Sequence, residues 1–285
     1  RHAGPPRRGG GGGGGGAPPP CSMKVALTIA GSDSGGGAGI QADLKTFAAH
    51  GVHGTSAITA ITAQNSVAVT DWVALEPRMV VAQIEAVASD MAVAAVKTGM
   101  LATAAIVQAV AEAVKRLALP NLVVDPVMVA KSGDRLLDPA AESAYLQHLF
   151  PLATLVTPNL EEAEALLGRP VRDLAAMREA ARALLDLGPR AVVVKGGHLA
   201  GAAIDVFFDG RAFEELPAER IPTRNTHGTG CTYSAAIAAR LALGAALLPA
   251  VREAKAYLTE AIRRSYSVGR GPGPVDHLHP LTTRR

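Results

Sequence analysis

The sequence predicts an α/β fold, a three-layer αβα sandwich built on a mostly parallel central sheet. Two observations carry this expectation. Short, near-continuously apolar runs such as KVALTIA, NLVVDP and AVVVKGG alternate with segments whose apolar residues recur at helical spacing. Strands buried on both faces have that continuous apolar character, and parallel strands need helical crossovers that cover both faces of the sheet. The polar and glycine-rich motifs also cluster just after the strand runs, where open parallel sheets bind their ligands.

The elements follow in order. KVALTIA is the first strand, and AGIQADLKTFAAH places Ile40, Leu44, Phe47 and Ala48 on one helical face. GTSAITAIT reads as a second strand and VAVTDWVAL as a third. A helix is predicted from about Arg78 to Met91, followed by the buried strand AAVKTG and the helix TAAIVQAVAEAVKRLA. NLVVDP is a strand ending in a proline turn. A helix over roughly Pro139 to Leu149, the strand ATLVTPN, and the helices EEAEALLG and LAAMREAARALLDLG lead to AVVVKGG. AAIDVFFDGRAFEEL, with Asp209-Gly210 at its centre, has the pattern of a hairpin near residues 203–216. Two helices close the chain, one beginning at NTHGTGCT and one spanning about Ala250 to Ser267.

Composition narrows the class. Residues 1–22, RHAGPPRRGGGGGGGGAPPPCS, have too little apolar content to offset the entropy of ordering and are expected to be disordered. They lack the apolar stretch of a signal peptide. Met23 reads as the natural start and residues 23–285 as one domain. The formal net charge of +3 falls to zero without Arg1, Arg7 and Arg8, so the basic balance does not point to nucleic acid. No apolar stretch reaches the roughly 18 residues of a membrane span, because Arg240 interrupts the best candidate. Cys231 is the one cysteine outside the extension, so there is no disulfide framework, and a reducing, cytoplasmic location is expected. The eight histidines form no metal signature, and His277 and His279 read as part of a C-terminal tail.

GAGIQA at 37–42 matches a dinucleotide-binding pattern, but no acid occurs between Asp43 and Asp71 to take the ribose hydroxyls. No Walker loop is present either. The better anion site is at 228–230. Gly228, Thr229 and Gly230 permit a tight bend whose N–H groups converge at a helix start, suited to a phosphate oxygen or a transferred phosphoryl group. The same field would lower the pKa of Cys231, although a small buried cysteine filling space fits the position equally well.

Phosphoryl transfer needs positioning, magnesium and positive charge more than covalent chemistry. Lys195 ends a buried strand and can reach a nucleotide phosphate or simply extend from the sheet edge. Asn159 and Glu162 can face hydrated magnesium or cap their helix. Asp125, at the end of an apolar strand, requires a cation or donors. Asp33 can be an ordinary turn residue.

Together AGSDSGGGAGIQADLKTF, AITAQNS, VKTGML, DPVMVAKSGDRLL, TPNLEEAE, VVVKGGH, HGTGCTYSAAIA and the terminal GPVDHLH resemble the hydroxymethylpyrimidine/phosphomethylpyrimidine kinases, of the ribokinase-like superfamily, from Met23 to about Pro280. The resemblance implies ATP and magnesium as cofactors and an aminopyrimidine as substrate, phosphorylated twice. It implies pyrimidine contacts at Gly31, Asp43, Gln64, Met100, Val127 and Cys231. It puts Lys195 and Thr226 on the nucleotide side, with Asn159 beside them, and Asp125 and Glu162 on the magnesium side. Cys231 takes the general-base position, where most ribokinase-like enzymes carry aspartate. A homodimer is also implied. Pyridoxine/pyridoxal kinase is the alternative enzyme, and a non-catalytic binding protein the alternative class. A mobile lid is expected at residues 126–137.

Overall fold

The computed structural model describes residues 23–128, 139–197, 199 and 203–282. The expected lid lies largely outside the described residues. Eight strands form the central sheet in the order β10-β9-β8-β7-β6-β5-β1-β2. Strands β1 (Val25–Ala30), β2 (His53–Ile58), β5 (Val93–Thr98), β6 (Leu122–Val124), β7 (Leu155–Val156) and β8 (Val192–Val194) run parallel. The hairpin β9 (Ala203–Phe208) and β10 (Phe213–Ala218) adds two antiparallel strands at one edge.

Alternate strand residues feed two separate cores, which is the period-two consequence of the pleat. Leu27, Ile29, Val96, Val124, Val192 and Val194 enter one core. It is completed by α2 (Pro77–Ala88), α3 (Ala104–Arg116), α4 (Pro139–Ala144), α5 (Leu160–Leu167) and α6 (Leu174–Leu185). Ala26, Ala95, Val123, Leu155 and Val193 face the other core, formed with α1 (Gly39–Ala49), α7 (Thr229–Ala242) and α8 (Leu247–Arg263). The continuous apolar runs therefore mark strands buried on both sides. After α1 the crossovers change face, and the crevice between β1 and β5 opens at that switch.

Two expectations are corrected. GTSAITAIT is not one strand: it breaks at Thr59, whose N–H donates to Ala30 O and whose hydroxyl donates to Met100 O at 2.6 Å. The chain then leaves the sheet, and β3 (Ala60–Gln64) pairs antiparallel with β4 (Val69–Ala74) as a separate two-stranded sheet. The run expected as a third strand is thus the outer strand of a protruding hairpin. The C-terminal segment is also no tail. His277 is 2 % exposed, its carbonyl accepts from Tyr257 Oη, and Val275 N–H donates to His227 O.

Beneath the β1–β5 crevice lies a fully buried ion pair. Lys97 Nζ, on β5, is 2.8 and 2.9 Å from the Asp43 carboxylate oxygens on α1, and Thr28 on β1 donates to Asp43 at 2.6 Å. Removing one charge from such a pair is costly, because the other is stranded in a low dielectric. Lys97→Met is expected to lose about 3–5 kcal/mol of unfolding free energy in urea titrations. Adding Asp43→Asn should restore most of it; a double variant no more stable than Lys97→Met would contradict this account of the pair.

Candidate active site

A cavity of about 710 Å³ opens along the carboxyl edge of the sheet. It gathers Gly31, Gln64, Met100, Val127, Asp125, Asn159, Glu162, Lys195, Thr226, Gly228, Thr229, Gly230 and Cys231 on one wall or another. Every residue singled out from sequence is there except Asp43, which the structure places behind Lys97 at 0 % exposure. Lys97, not Asp43, lines the cavity.

Gln64 sits at the end of β3, tied to the first glycine-rich loop by Ser34, whose hydroxyl donates to Gln64 O at 2.6 Å. Met100 follows β5, and its thioether lies close against Gly31. This end of the cavity combines an amide that can both donate and accept with a polarizable sulfur.

The opposite end is ionic. Asp125 leaves β6 with its carboxylate 1 % exposed, and Lys195 Nζ donates to its Oδ1 at 2.8 Å. Thr157 donates to the same oxygen at 3.3 Å, and Ser234 donates to Oδ2 at 3.1 Å. Burial pushes the Asp125 carboxyl up, but the Lys195 and Lys97 ammoniums with these donors outweigh it and hold it below the usual range. Glu162 lies on the other side of Lys195, with Oε2 3.9 Å from Nζ. There burial wins, Lys195 opposes it and the Asp125 charge adds to it, so the carboxyl is pushed up to about 7. Lys195 stays protonated, since the two carboxylates outweigh its burial.

Asn159 and Glu162 form a reciprocal cap on α5: Asn159 Oδ1 accepts from Glu162 N–H and Glu162 Oε2 accepts from Asn159 N–H, both at 2.8 Å. Capping and cavity lining are therefore simultaneous, and the cap fixes where Glu162 points. Among the described residues no three His, Cys, Asp or Glu side chains gather to hold a metal. Two carboxylates suit a hydrated magnesium ion bound mainly through phosphate and water, so the residues present fit that group.

The bend at 228–230 forms as a tight turn of the backbone. Gly228 has φ of 81° and caps α7, and a Cβ there would fall on Gly37 O. A Cβ on Gly230 would lie 3.4 Å from Lys195 Nζ. The N–H groups at the start of α7 thus open beside the Lys195–Asp125 pair, where a phosphoryl group would meet both.

Cys231 is half-buried at the first turn of α7. Burial pushes the thiol up to about 11, the Asp43 and Asp125 charges add to it, and the Lys97 ammonium with a Gly39 N–H only partly compensates, which favours the space-filling reading of the two. Lys97 and the contact of His227 Nε2 with Asp33 Oδ2 escaped the sequence reading. A lysine inside the apolar run AAVKTG, which demands a buried partner, was the available signal for Lys97.

A parallel sheet whose carboxyl edge carries a glycine-bend helix start beside a lysine–carboxylate pair fits a phosphotransferase of the ribokinase-like class. The family description "phosphomethylpyrimidine kinase" matches residues 33–276, and the chain belongs to that family. It is 55% identical over 259 residues to the hydroxymethylpyrimidine/phosphomethylpyrimidine kinase of Rhizobium meliloti, covering 90% of this chain and 97% of that one. Among solved structures it is similar to an ADP complex of Bacillus subtilis pyridoxal kinase, with 42% identity, a TM-score of 0.86, and 92% and 100% of the two chains covered. It is also similar to phosphomethylpyrimidine kinase from Clostridium difficile, with 44% identity, a TM-score of 0.75, and coverage of 84% and 100%.

The thiol state of Cys231 is directly testable. In a Cys21→Ser background, iodoacetamide alkylation should accelerate about tenfold per pH unit up to about pH 11, because only thiolate reacts. A plateau below pH 9 would show that the helix start, not burial, controls the thiol.

Proposed function

We propose that this kinase transfers the γ-phosphoryl group of ATP to the hydroxyl of 4-amino-5-hydroxymethyl-2-methylpyrimidine, then to the resulting monophosphate, yielding the diphosphate used for thiamine biosynthesis. The observation that carries the reading is the polarity of a single cavity. An amide and a thioether stand at one end, the anion bend and Lys195–Asp125 at the other, and Cys231 lines the same cavity directly after the bend.

Gln64 presents its amide to the ring nitrogen and exocyclic amine, Met100 packs on the ring, and Gly31 and Val127 shape its slot. Lys195, Thr226 and Asn159 receive the nucleotide. Asp125 and Glu162 would hold magnesium, which when bound neutralises charge on the phosphate oxygens. The N–H groups of 228–230 take up the charge that develops as the acceptor oxygen bonds to phosphorus and the bond to ADP breaks. Cys231, as thiolate, accepts the hydroxyl proton. Its pKa of about 11 makes that form scarce at neutral pH but strongly basic. Asp43 serves the pyrimidine end through Lys97.

Pyridoxal is a second acceptor to consider, since the similar Bacillus subtilis structure is a pyridoxal kinase. Residues 23–285 act as one kinase domain, cytoplasmic, with no nucleic-acid or membrane partner. Ile61 and Val73, partners across the β3–β4 hairpin, are 43% and 59% exposed on one of its faces, which supports assembly as a homodimer through that face.

ADP release measured with the aminopyrimidine, its monophosphate and pyridoxal tests the substrate. Turnover of pyridoxal alone would replace this reading. The base is tested by comparing the two pyrimidine acceptors. An alcohol must lose a proton as it attacks, whereas a phosphate monoester with a second pKa near ~6 is already largely ionised. Cys231→Ala should lower kcat/KM for the alcohol by roughly 10²–10⁴-fold and affect the monophosphate much less. In the unsubstituted enzyme, kcat/KM for the alcohol should climb with pH between 7 and 10. Equal losses with a flat profile would remove Cys231 from the base role.

A further inference from the structure

Two loops from opposite ends of the chain meet over the cavity. One, residues 33–39, connects β1 to α1. The other, residues 226–231, opens α7. The Asp33 carboxylate is 1 % exposed and accepts N–H groups from its own loop: Gly35 at 2.8 Å, Gly37 at 3.0 Å and Ala38 at 2.8 Å. Its remaining bond crosses to the other loop, where His227 Nε2 lies 2.8 Å from Oδ2. The carboxylate accepts, so Nε2 donates. Burial pushes the Asp33 carboxyl up, but the hydrogen bond to His227, with the loop N–H groups, outweighs it and keeps the carboxyl ionised.

His227 is itself anchored from behind. Its N–H donates to Gly273 O and its carbonyl accepts from Val275 N–H, so the C-terminal segment fixes its backbone. The contact between the loops is close enough to exclude side chains. The ring occupies the space a Cβ on Gly37 would need, and Gly37 O occupies that of a Cβ on Gly228. Asp33 and His227 both line the cavity.

We propose that His227 is a positioning residue: its bond to Asp33 locks the acceptor-side glycine loop onto the anion bend and so fixes the acceptor relative to the phosphoryl group. The inference rests on the phosphoryl-transfer reading above. A shift of about 1 Å between reacting groups can cost on the order of 10²-fold in rate. One hydrogen bond joining loops 194 residues apart is therefore a strong lever on the reaction. The bond should act on kcat rather than on affinity, because each substrate still meets its own loop.

Glutamine and asparagine separate this role from mere packing. A glutamine amide nitrogen can occupy the place of Nε2, whereas asparagine is one atom too short. His227→Asn should lower kcat by roughly 10²-fold with both the alcohol and the monophosphate, with KM for either acceptor and for ATP nearly unchanged. His227→Gln should keep most of the activity. The second readout needs no turnover: in a Cys21→Ser background, Cys231 should be alkylated faster in His227→Asn than in His227→Gln or the parent at the same pH, because the loops covering it separate. Should the Asn variant not fold, His227→Phe keeps a ring in place and removes the donor to Asp33, and should give the same two changes. If the pyrimidine proves not to be a substrate, the alkylation comparison still decides the positioning role. Equal kcat in the Asn and Gln variants, or alkylation rates that do not separate them, would overturn the proposal.

Discussion

The structure depends on keeping charge dry at the carboxyl edge of the sheet. Lys97–Asp43 has both side chains at 0 % exposure, and Lys195–Asp125 stands at 14 % and 1 %. Desolvating such groups is expensive, and hydrophobic residues of similar size would often be more stable there. The two apolar cores on either face of the sheet supply the stability that makes the arrangement tolerable. What the arrangement provides is a preorganised field: ammoniums and N–H groups held in place by their buried partners before any ligand arrives.

The same field explains why neighbouring acids and the thiol differ. Asp125 is held ionised by Lys195 and Lys97 despite burial, whereas burial prevails at Glu162 and Cys231. A helix start alone would lower a thiol pKa. Here the loss of water, with smaller contributions from the Asp43 and Asp125 charges, overrides it.

Much of this was legible in the sequence because it is local. Continuous apolar runs identified the doubly buried strands, Asp209-Gly210 identified the edge hairpin, and motifs at strand ends assembled into one cavity. What escaped was set by partners far along the chain. Asp43 is answered by Lys97, 54 residues on, so its burial could not be read from its own helix. Asp33 looks like a turn residue because three of its bonds are indeed to its own turn; the fourth, to His227, is invisible locally. GTSAITAIT has no breaker, and the break at Thr59 arises from hydrogen bonds to Ala30 and Met100. The terminal histidines lack sequence neighbours to pack on, but α8 provides Tyr257.

The fold is shared with a pyridoxal kinase and a phosphomethylpyrimidine kinase, so the fold alone does not choose between their acceptors. The central claim is that a single cavity performs both transfers, with its acceptor end taking first an alcohol and then a phosphate. Steady-state competition tests this most directly: phosphorylation of the monophosphate is followed while the alcohol is varied at saturating ATP. A single site predicts purely competitive inhibition, with an inhibition constant equal to the alcohol's own KM as a substrate at saturating ATP. Non-competitive inhibition, or none at alcohol concentrations that saturate the first reaction, would mean that the two acceptors do not share this cavity.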